Sequence, residues 1–361
     1  MNVRIKYIIK TGLTEVFFFV WRLLNARSET TLFKNVGVNA EVNICMKTPL
    51  GIGDLIMMSP LLNEISYKFK EKKIILITPH KPFINLSRVK WKRSQKSDRG
   101  ITRIVVSPTF VFAHMCELRG ASWYMGYFFS KNYISNSSKI NWKYDPSNDH
   151  YLHRTVPVLK DLKLSEFEHD VIYPRLLMEK APKNIPEEYI CVAPFVNWKA
   201  RQYPYTYYYE ILRWVVSNLK MNIVIIGGVK KIEIKQNKYL TEKISKHGTV
   251  LNLTGKTTLK QSINIIHNSK LYLGNDSGPS HIAFIEAKKS IVIFGSILPE
   301  SRLPLNSDLK KNIITIDNRQ ACPYYPCYTG LDEPKCNNDY ICLKSIAPKS
   351  IINHIQNELD A

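Results

Sequence analysis

Residues 269–286 read SKLYLGNDSGPSHIAFIE. The apolar run at 269–273 has the character of a strand, and the run from Ile282 has that of a helix. The change of period therefore falls on Asp276-Ser277-Gly278-Pro279. Such a junction presents free backbone N–H groups and the positive end of a helix dipole above a sheet edge, which suits a phosphate. Asp276 and Ser277 are helix-capping types, and Gly278 permits close approach of a ligand to the backbone. Pro279 fits the first helical position. His281 would project from the first turn toward the same mouth, or face the core.

Outward from this junction, the second half of the chain alternates strictly. Strands are expected at 190–195, 223–226, 250–253, 271–274 and 291–294. Helices are expected at 205–219, 232–245, 259–268 and 279–286, with a last one at 348–359. That alternation implies an α/β domain, a parallel sheet with helices on both faces. In the first half, a strand at 42–46 leads through Gly51-Ile52-Gly53-Asp54 into a helix ending near Lys70. Further strands are expected at 74–78 and 101–107. The stretch 113–164 is rich in Tyr, Trp and Asn without a clean period, and no elements are assigned to it. Pro182 to Pro186 reads as a linker. The division is then 1–38, an N-terminal segment; 39–183 and 187–347, two domains; and 348–361, a C-terminal helix able to cross back onto the first domain.

The chain has 361 residues, 45% of them hydrophobic, enough for two domains with sizeable cores. Its formal net charge is +21, unevenly placed: residues 68–103 hold 12 Lys and Arg against 2 acids. Such a patch seeks phosphate on a membrane, a glycan or a nucleic acid. No zinc finger, helix-turn-helix or RNA-recognition signature is present, so an anionic membrane or glycolipid is favoured over nucleic acid. Residues 1–38 carry apolar positions at helical spacing among Arg and Lys. The apolar stretch is short for a membrane span and interrupted for a signal peptide, so an amphipathic helix in the membrane interface fits best, with packing on the protein's own core as the alternative. Cys322, Cys327, Cys336 and Cys342 form a C-x4-C-x8-C-x5-C cluster. It lacks the tight pairs of a zinc ribbon and is read as reduced thiols shaping a loop.

Several segments recur in a telling order. They are Leu50-Gly-Ile-Gly53-Asp54, Ile190 to Lys199, Asn222 to Gly228, Thr254-Gly255-Lys256-Thr257, Asp276 to His281, and Ser290 to Ser296. The ordered set resembles glycosyltransferase family nine, the ADP-heptose:lipopolysaccharide heptosyltransferases. The resemblance covers 43–70 and 189–296 well, is thin through 98–183, and is absent from the first forty residues. It implies the architecture called GT-B, two Rossmann-like parallel-sheet domains facing across a cleft. It also implies an inverting transfer of a sugar, foremost heptose from ADP-heptose, onto a lipid-linked or phosphorylated glycan. The protein would work in the cytoplasm, peripherally at the inner face of the membrane. A transferase using another nucleotide sugar, or a non-catalytic nucleotide- or anionic-polymer-binding protein, is the alternative.

Asp54 stands at the resembled family's catalytic aspartate in Gly53-Asp54 and would take the acceptor's proton, unless it merely caps its helix. Lys199, with Arg201 as assistant or substitute, would offset the leaving diphosphate. The resemblance places Gly53, Gly227, Gly255, Lys256, Thr257, Asp276, Ser277, Gly278 and His281 around the donor. The last four lie nearest the diphosphate and Gly255-Lys256-Thr257 toward the adenosine. No Asp-x-Asp triplet, P-loop or G-x-S-x-G elbow occurs, so no metal or other cofactor is expected.

Overall fold

The computed structural model describes residues 41–45, 51–93, 103–110, 121–128, 132–135, 149–167, 170–328 and 333–360. The expected N-terminal amphipathic helix lies outside these residues, as does the 94–102 part of the basic stretch.

Two six-stranded sheets are present. The first holds β1 (Glu41–Cys45), β2 (Lys73–Ile77), β3 (Val89–Lys92), β4 (Arg103–Phe110), β5 (Ala121–Phe128) and β6 (Asn132–Ser135), in the order β3-β2-β1-β4-β5-β6. All its pairs are parallel except β5–β6. The second holds β7 (Tyr189–Ala193), β8 (Asn222–Ile225), β9 (Val250–Asn252), β10 (Leu271–Asn275), β11 (Ser290–Ile293) and β12 (Ile313–Ile316), in the order β12-β11-β10-β7-β8-β9. Counted from each sheet's first strand, both follow the doubly wound order 3-2-1-4-5-6. That order reverses between β1 and β4 in one sheet and between β7 and β10 in the other, and ligands bind at such reversals.

The alternating strands of the second sheet explain its burial. Ile190, Val192, Ile223, Ile225, Leu271 and Leu273 enter one core, while Tyr189, Cys191, Val224 and Tyr272 enter another. Period-two side chains that are apolar on both faces require helices on both faces. Helices α4 (Tyr205–Trp214), α5 (Lys231–Ile244) and the C-terminal helix (Pro348–Asp360) cover one side, through Ile211, Leu212, Leu240, Ile351 and Ile355. Helices α6 (Leu259–Asn268) and α7 (Gly278–Ile285) cover the other, through Ile263, Ile266, Ile282 and Phe284. The C-terminal helix therefore lies on α4 of the second domain instead of crossing to the first, because its Ile351 and Ile355 stripe completes that core.

The single helix expected after Gly53 is two: α1 (Ile52–Met57) and α2 (Ser59–Lys68), divided at Met58. Pro60 lacks the N–H that a continuous helix would bond to Ile56, so the chain restarts. The unassigned 113–164 stretch contains β5, β6, a 3-10 turn (Tyr151–Thr155) and α3 (Val156–Asp161). Among the described residues, no helix is long and apolar enough to cross a membrane.

Candidate active site

The two domains meet where α1 and α7 touch. Their N-termini approach so closely that a Cβ on Gly53 would stand 2.5 Å from His281 Cδ2, and one on Gly278 would stand 3.3 Å from Ile52 Cβ. These two glycines therefore serve the helix–helix approach first. Each helix starts at its sheet's point of reversal, α1 after β1 and α7 after β10, so both switch points open on one region.

On the first-domain side, Asp54 is half-buried at the third position of α1, and its Oδ2 accepts the Gly51 N–H at 2.7 Å. The carboxylate thus caps its own helix. One oxygen is committed to that bond, and the charge also acts on Tyr151 and His281.

On the second-domain side, Asn275 ties the end of β10 to the loop after β7. Its Nδ2 donates to the Pro194 carbonyl at 2.8 Å, and its Oδ1 accepts the Tyr203 N–H at 3.1 Å. The neighbouring Asp276 is buried and holds Arg201, whose Nη1 is 3.4 Å from Asp276 Oδ2. Arg201 also stacks over Trp198 at 4.3 Å. The structure thereby separates the two candidate cations. Arg201 is turned inward and neutralises Asp276, whereas Lys199 stands exposed at the start of the same 3-10 turn. The charge of Asp276 is thereby matched within the second domain. Ser277 occupies the N-cap position of α7 with extended backbone, yet its hydroxyl makes no capping bond.

His281 is buried against Phe284, with ring centroids 5.5 Å apart and nearly perpendicular. Burial lowers its pKa to about 4, against the pull of Asp276, so at neutral pH it is an uncharged interface residue. His281 thus lies at the boundary between the two domains, its ring against Gly53 of α1.

The remaining predicted donor residues sit at the ends of β8 and β9. A Cβ on Gly227 would collide with Glu233, whose Oε1 accepts the Gly228 N–H at 2.8 Å. Gly255 has a φ of +73°, the left-handed region that glycine tolerates, and its N–H bonds the Gly227 carbonyl at 3.1 Å. Lys256 Nζ donates to the Asn252 carbonyl at 3.2 Å, and Thr257 shares a 2.8 Å hydrogen bond with Ser262. This turn is braced internally, two strands away from β7.

Sequence reasoning reached only the first members of a row of cations and aromatic rings along the domain boundary. From Trp198 and Arg201 it continues to Tyr328, whose ring lies 5.5 Å from the Arg201 guanidinium. The buried Arg302 then spans Tyr328 at 5.3 Å and Tyr151 at 4.7 Å, and Arg154 covers Tyr151 at 5.4 Å. No motif marks Tyr328, Arg302, Tyr151 or Arg154. Trp198 and Arg302 do follow strand ends within ten residues, on the loops where switch-point ligands bind.

The four clustered cysteines line one pocket beside Ala200 and Ser296, all as free thiols. The Cys336 sulfur accepts the Tyr340 N–H at 3.1 Å. Burial pushes the Cys342 thiol up to about 11. The loop braces the cation-bearing turn, since the Ser296 N–H bonds the Ala200 carbonyl at 3.0 Å and the Ala200 N–H donates to Glu333 at 3.2 Å. Among the described residues, no three His, Cys, Asp or Glu side chains are grouped to hold a metal ion.

A pair of doubly wound domains with facing switch points is shared by many enzymes, and comparison with known proteins decides among them. The family profile of glycosyltransferase family 9 (heptosyltransferase) matches residues 129–330, more than half of the chain. The chain belongs to glycosyltransferase family 9. It is a glycosyltransferase, and its two sheets form the GT-B fold. A curated relative, lipooligosaccharide heptosyltransferase 2 of Campylobacter jejuni (serotype O:2), is 25% identical over 335 residues, covering 88% of this chain and 98% of the relative. Two solved structures share the fold at 14% identity. The ADP-heptose lps heptosyltransferase II of E. coli has a TM-score of 0.58 and covers 89% of this chain and 98% of its own. The iron-containing dodecameric glycosyltransferase TibC of enterotoxigenic E. coli has a TM-score of 0.60, covering 89% and 76%.

Proposed function

We propose that this family 9 enzyme moves heptose from ADP-heptose onto a lipooligosaccharide or other phosphorylated glycan, with inversion at the anomeric carbon. The observation that carries the reading is the opposition of two helix starts, with a carboxylate on one side and cations on the other. The names of the Campylobacter jejuni relative and the E. coli enzyme supply the sugar and acceptor class.

In this mechanism Asp54 takes the proton of an acceptor hydroxyl through its uncommitted oxygen. The hydroxyl oxygen attacks the anomeric carbon from the face opposite the diphosphate, and the carbon–oxygen bond to the diphosphate breaks. Negative charge collects on the departing phosphate, where Lys199 and the N-terminus of α7 offset it. Arg201 and Asp276 set the position of the turn that carries Lys199. Gly227, Gly228 and Gly255, at the ends of β8 and β9, leave room for the nucleoside. The anionic acceptor brings the enzyme to the cytoplasmic face of a membrane, where the basic 68–103 stretch and the N-terminal segment would hold it peripherally.

The test is thermal stability in the presence of ADP, ADP-heptose, UDP, GDP and CMP. A ligand at 100 times its dissociation constant adds about 2.7 kcal/mol, a shift of several degrees. Stabilisation by ADP and ADP-heptose, weakened by Lys199→Ala, is expected. Stabilisation by a different nucleotide alone would replace the donor, and none by any nucleotide would overturn the reading.

A further inference from the structure

Eight large hydrophobic side chains are exposed among the described residues, and four of them lie between Val229 and Tyr239: these two, Ile232 and Ile234. Val229 is 78% exposed and Tyr239 60%. The stretch comprises the turn after β8 and most of α5. The same segment carries Lys230, Lys231, Lys235, Lys238 and Lys243, all exposed. Two acids accompany them. Glu233 is buried, its Oε1 on the Gly228 N–H, and Glu242 pairs with Lys238 at 3.8 Å. The outward charge is therefore nearly all positive.

A lysine-rich helix face is by itself an ordinary solvated surface. The other two helices on this side of the second sheet have such a surface. α4 turns Thr206, Glu210 and Arg213 to solvent, and the C-terminal helix turns Asn353, Gln356 and Asn357. Neither exposes a large hydrophobic residue. α5 departs from them. Ile232, Lys235, Tyr239 and Lys243 succeed one another at helical steps of three and four, one stripe along the outer face. The Lys243 ammonium lies 5.4 Å from the Tyr239 ring. On the other flank, Ile234 reaches the turn after β9, where a Cβ on Gly255 would stand 3.2 Å from Ile234 Cδ1. The core is served separately, by Leu240 and Ile244.

Apolar side chains set among lysines on an outward face are the pattern of a helix lying in the interfacial plane of an anionic bilayer. The position of the patch agrees with that. Strands β7 to β10 are parallel, so the loop holding Lys199, the turn before α5 and the start of α7 leave the sheet at one edge. The patch begins at the edge on which the candidate site opens.

We propose that the outer face of α5 and the turn before it form a membrane-docking surface of the second domain, with Val229, Ile232 and Tyr239 entering the headgroup region and Lys230, Lys231 and Lys235 meeting lipid phosphates. The partner is an anionic phospholipid surface, which lays negative charge over an apolar interior and so matches both components of the patch. This surface is separate from the basic 68–103 stretch of the first domain, and it gives the second domain its own hold on the bilayer with the site's edge of the sheet nearby. The inference rests on the transferase reading for its purpose, access to a lipid-linked acceptor, and not for the contact itself.

The experiment partitions the full chain onto sedimentable vesicles of phosphatidylcholine, with and without about one-third phosphatidylglycerol, at low salt. One double variant removes charge, Lys231→Gln with Lys235→Gln. A second removes apolar surface, Ile232→Gln with Tyr239→Gln. The control, Asn353→Glu with Gln356→Glu on the C-terminal helix, makes the same change in net charge as the first. Wild-type protein is expected to bind the anionic vesicles at least about 10-fold more tightly than the neutral ones. The charge variant should bind them about 30-fold more weakly than wild type, a factor of about five for each lysine. The apolar variant should lose about 15-fold, the worth of two buried methylene groups. The control should stay within about threefold of wild type. All variants should keep the wild-type melting temperature and its shift with ADP. Wild-type protein that ignores the vesicles or binds both kinds equally, wild-type affinity in either α5 variant, or an equal loss in the control would each overturn the proposal. So would loss of ADP stabilisation in the apolar variant, which would assign these side chains to the donor pocket. None of these results touches the transferase reading, which is decided by the response of wild-type protein to nucleotides. Vesicle binding with the expected variant losses but no nucleotide response would fell that reading and leave the docking surface in place.

Discussion

Substituting Gly53 by Ala tests whether the domains are joined where the structure places the joint. The new Cβ would lie 2.5 Å from His281 Cδ2, and His281 is buried against Phe284 with little room to turn. Overpacking of this kind costs about 1–3 kcal/mol. Against it stands the helical preference of Ala over Gly, worth up to about 1 kcal/mol in α1. The net expectation is a loss of about 1–2 kcal/mol, or a fall in melting temperature of roughly 3–6 °C for a domain of this size. The decisive arrangement is a double-mutant cycle with His281→Ala. Without the ring the clash is gone, only the helix preference remains, and Gly53→Ala should become neutral or stabilising. The coupling between the two changes should therefore reach about 1–3 kcal/mol. Scanning calorimetry or urea denaturation reads it directly. A Gly53→Ala variant that is more stable than wild type, or that costs the same in both backgrounds, would refute the contact between α1 and α7.

Arg201→Ala leaves the buried Asp276 carboxylate without its guanidinium. It should cost about 3 kcal/mol in urea denaturation, the low end for a broken buried pair because Arg201 is partly exposed, and Arg201→Lys should not restore it. Asp54→Asn is expected to lower transfer by about 10²–10⁴-fold with donor binding intact, measured as product formation against calorimetric affinity for ADP. Lys199→Ala should reduce kcat by about 10²–10³-fold, and near-normal turnover in either variant would remove that residue from the chemistry. His150 has its pKa lowered from 6.5 to about 4, chiefly by burial, with His153, Arg302 and Lys310 adding to it and the Leu303 carbonyl opposing. Its contribution is therefore complete above about pH 6.5 and lost as pH falls toward 4, by on the order of 3 kcal/mol. His281 has the same sign and window. Melting temperature between pH 7.5 and 4.5 should fall less steeply in His150→Asn, which keeps an acceptor for the Leu152 N–H; an identical slope would contradict the assignment.

The second domain was legible because each of its buried strands is an uninterrupted apolar run followed by a turn and an amphipathic helix. The strand Leu271–Asn275 and helix Gly278–Ile285 fall where the change of period puts them. β12 was missed because Ile-Ile-Thr-Ile is short and partly exposed at the sheet edge. β3 was missed because Val-Lys-Trp-Lys, half exposed, reads as surface. The capping bond of Asp54 and the choice between the two settings of His281 depend on tertiary distances that no spacing rule contains. The same holds for Arg302 and Tyr151, which lie 151 positions apart and meet only because His150 reaches Leu303.

Both halves of the chain use one strand order, and each starts a helix at the same place in that order. The equivalent positions nonetheless carry opposite signs, a carboxylate after β1 and, after β7, an exposed lysine with no ion pair among the described residues. The gap between the halves is therefore polarised before anything enters it. On the proposed reading, a molecule with an anionic end and a neutral, proton-bearing end would be turned by this field on approach, so selection of orientation would begin ahead of contact. Exchanging the two signs would reverse that field and, at Asp54, also remove the cap of α1.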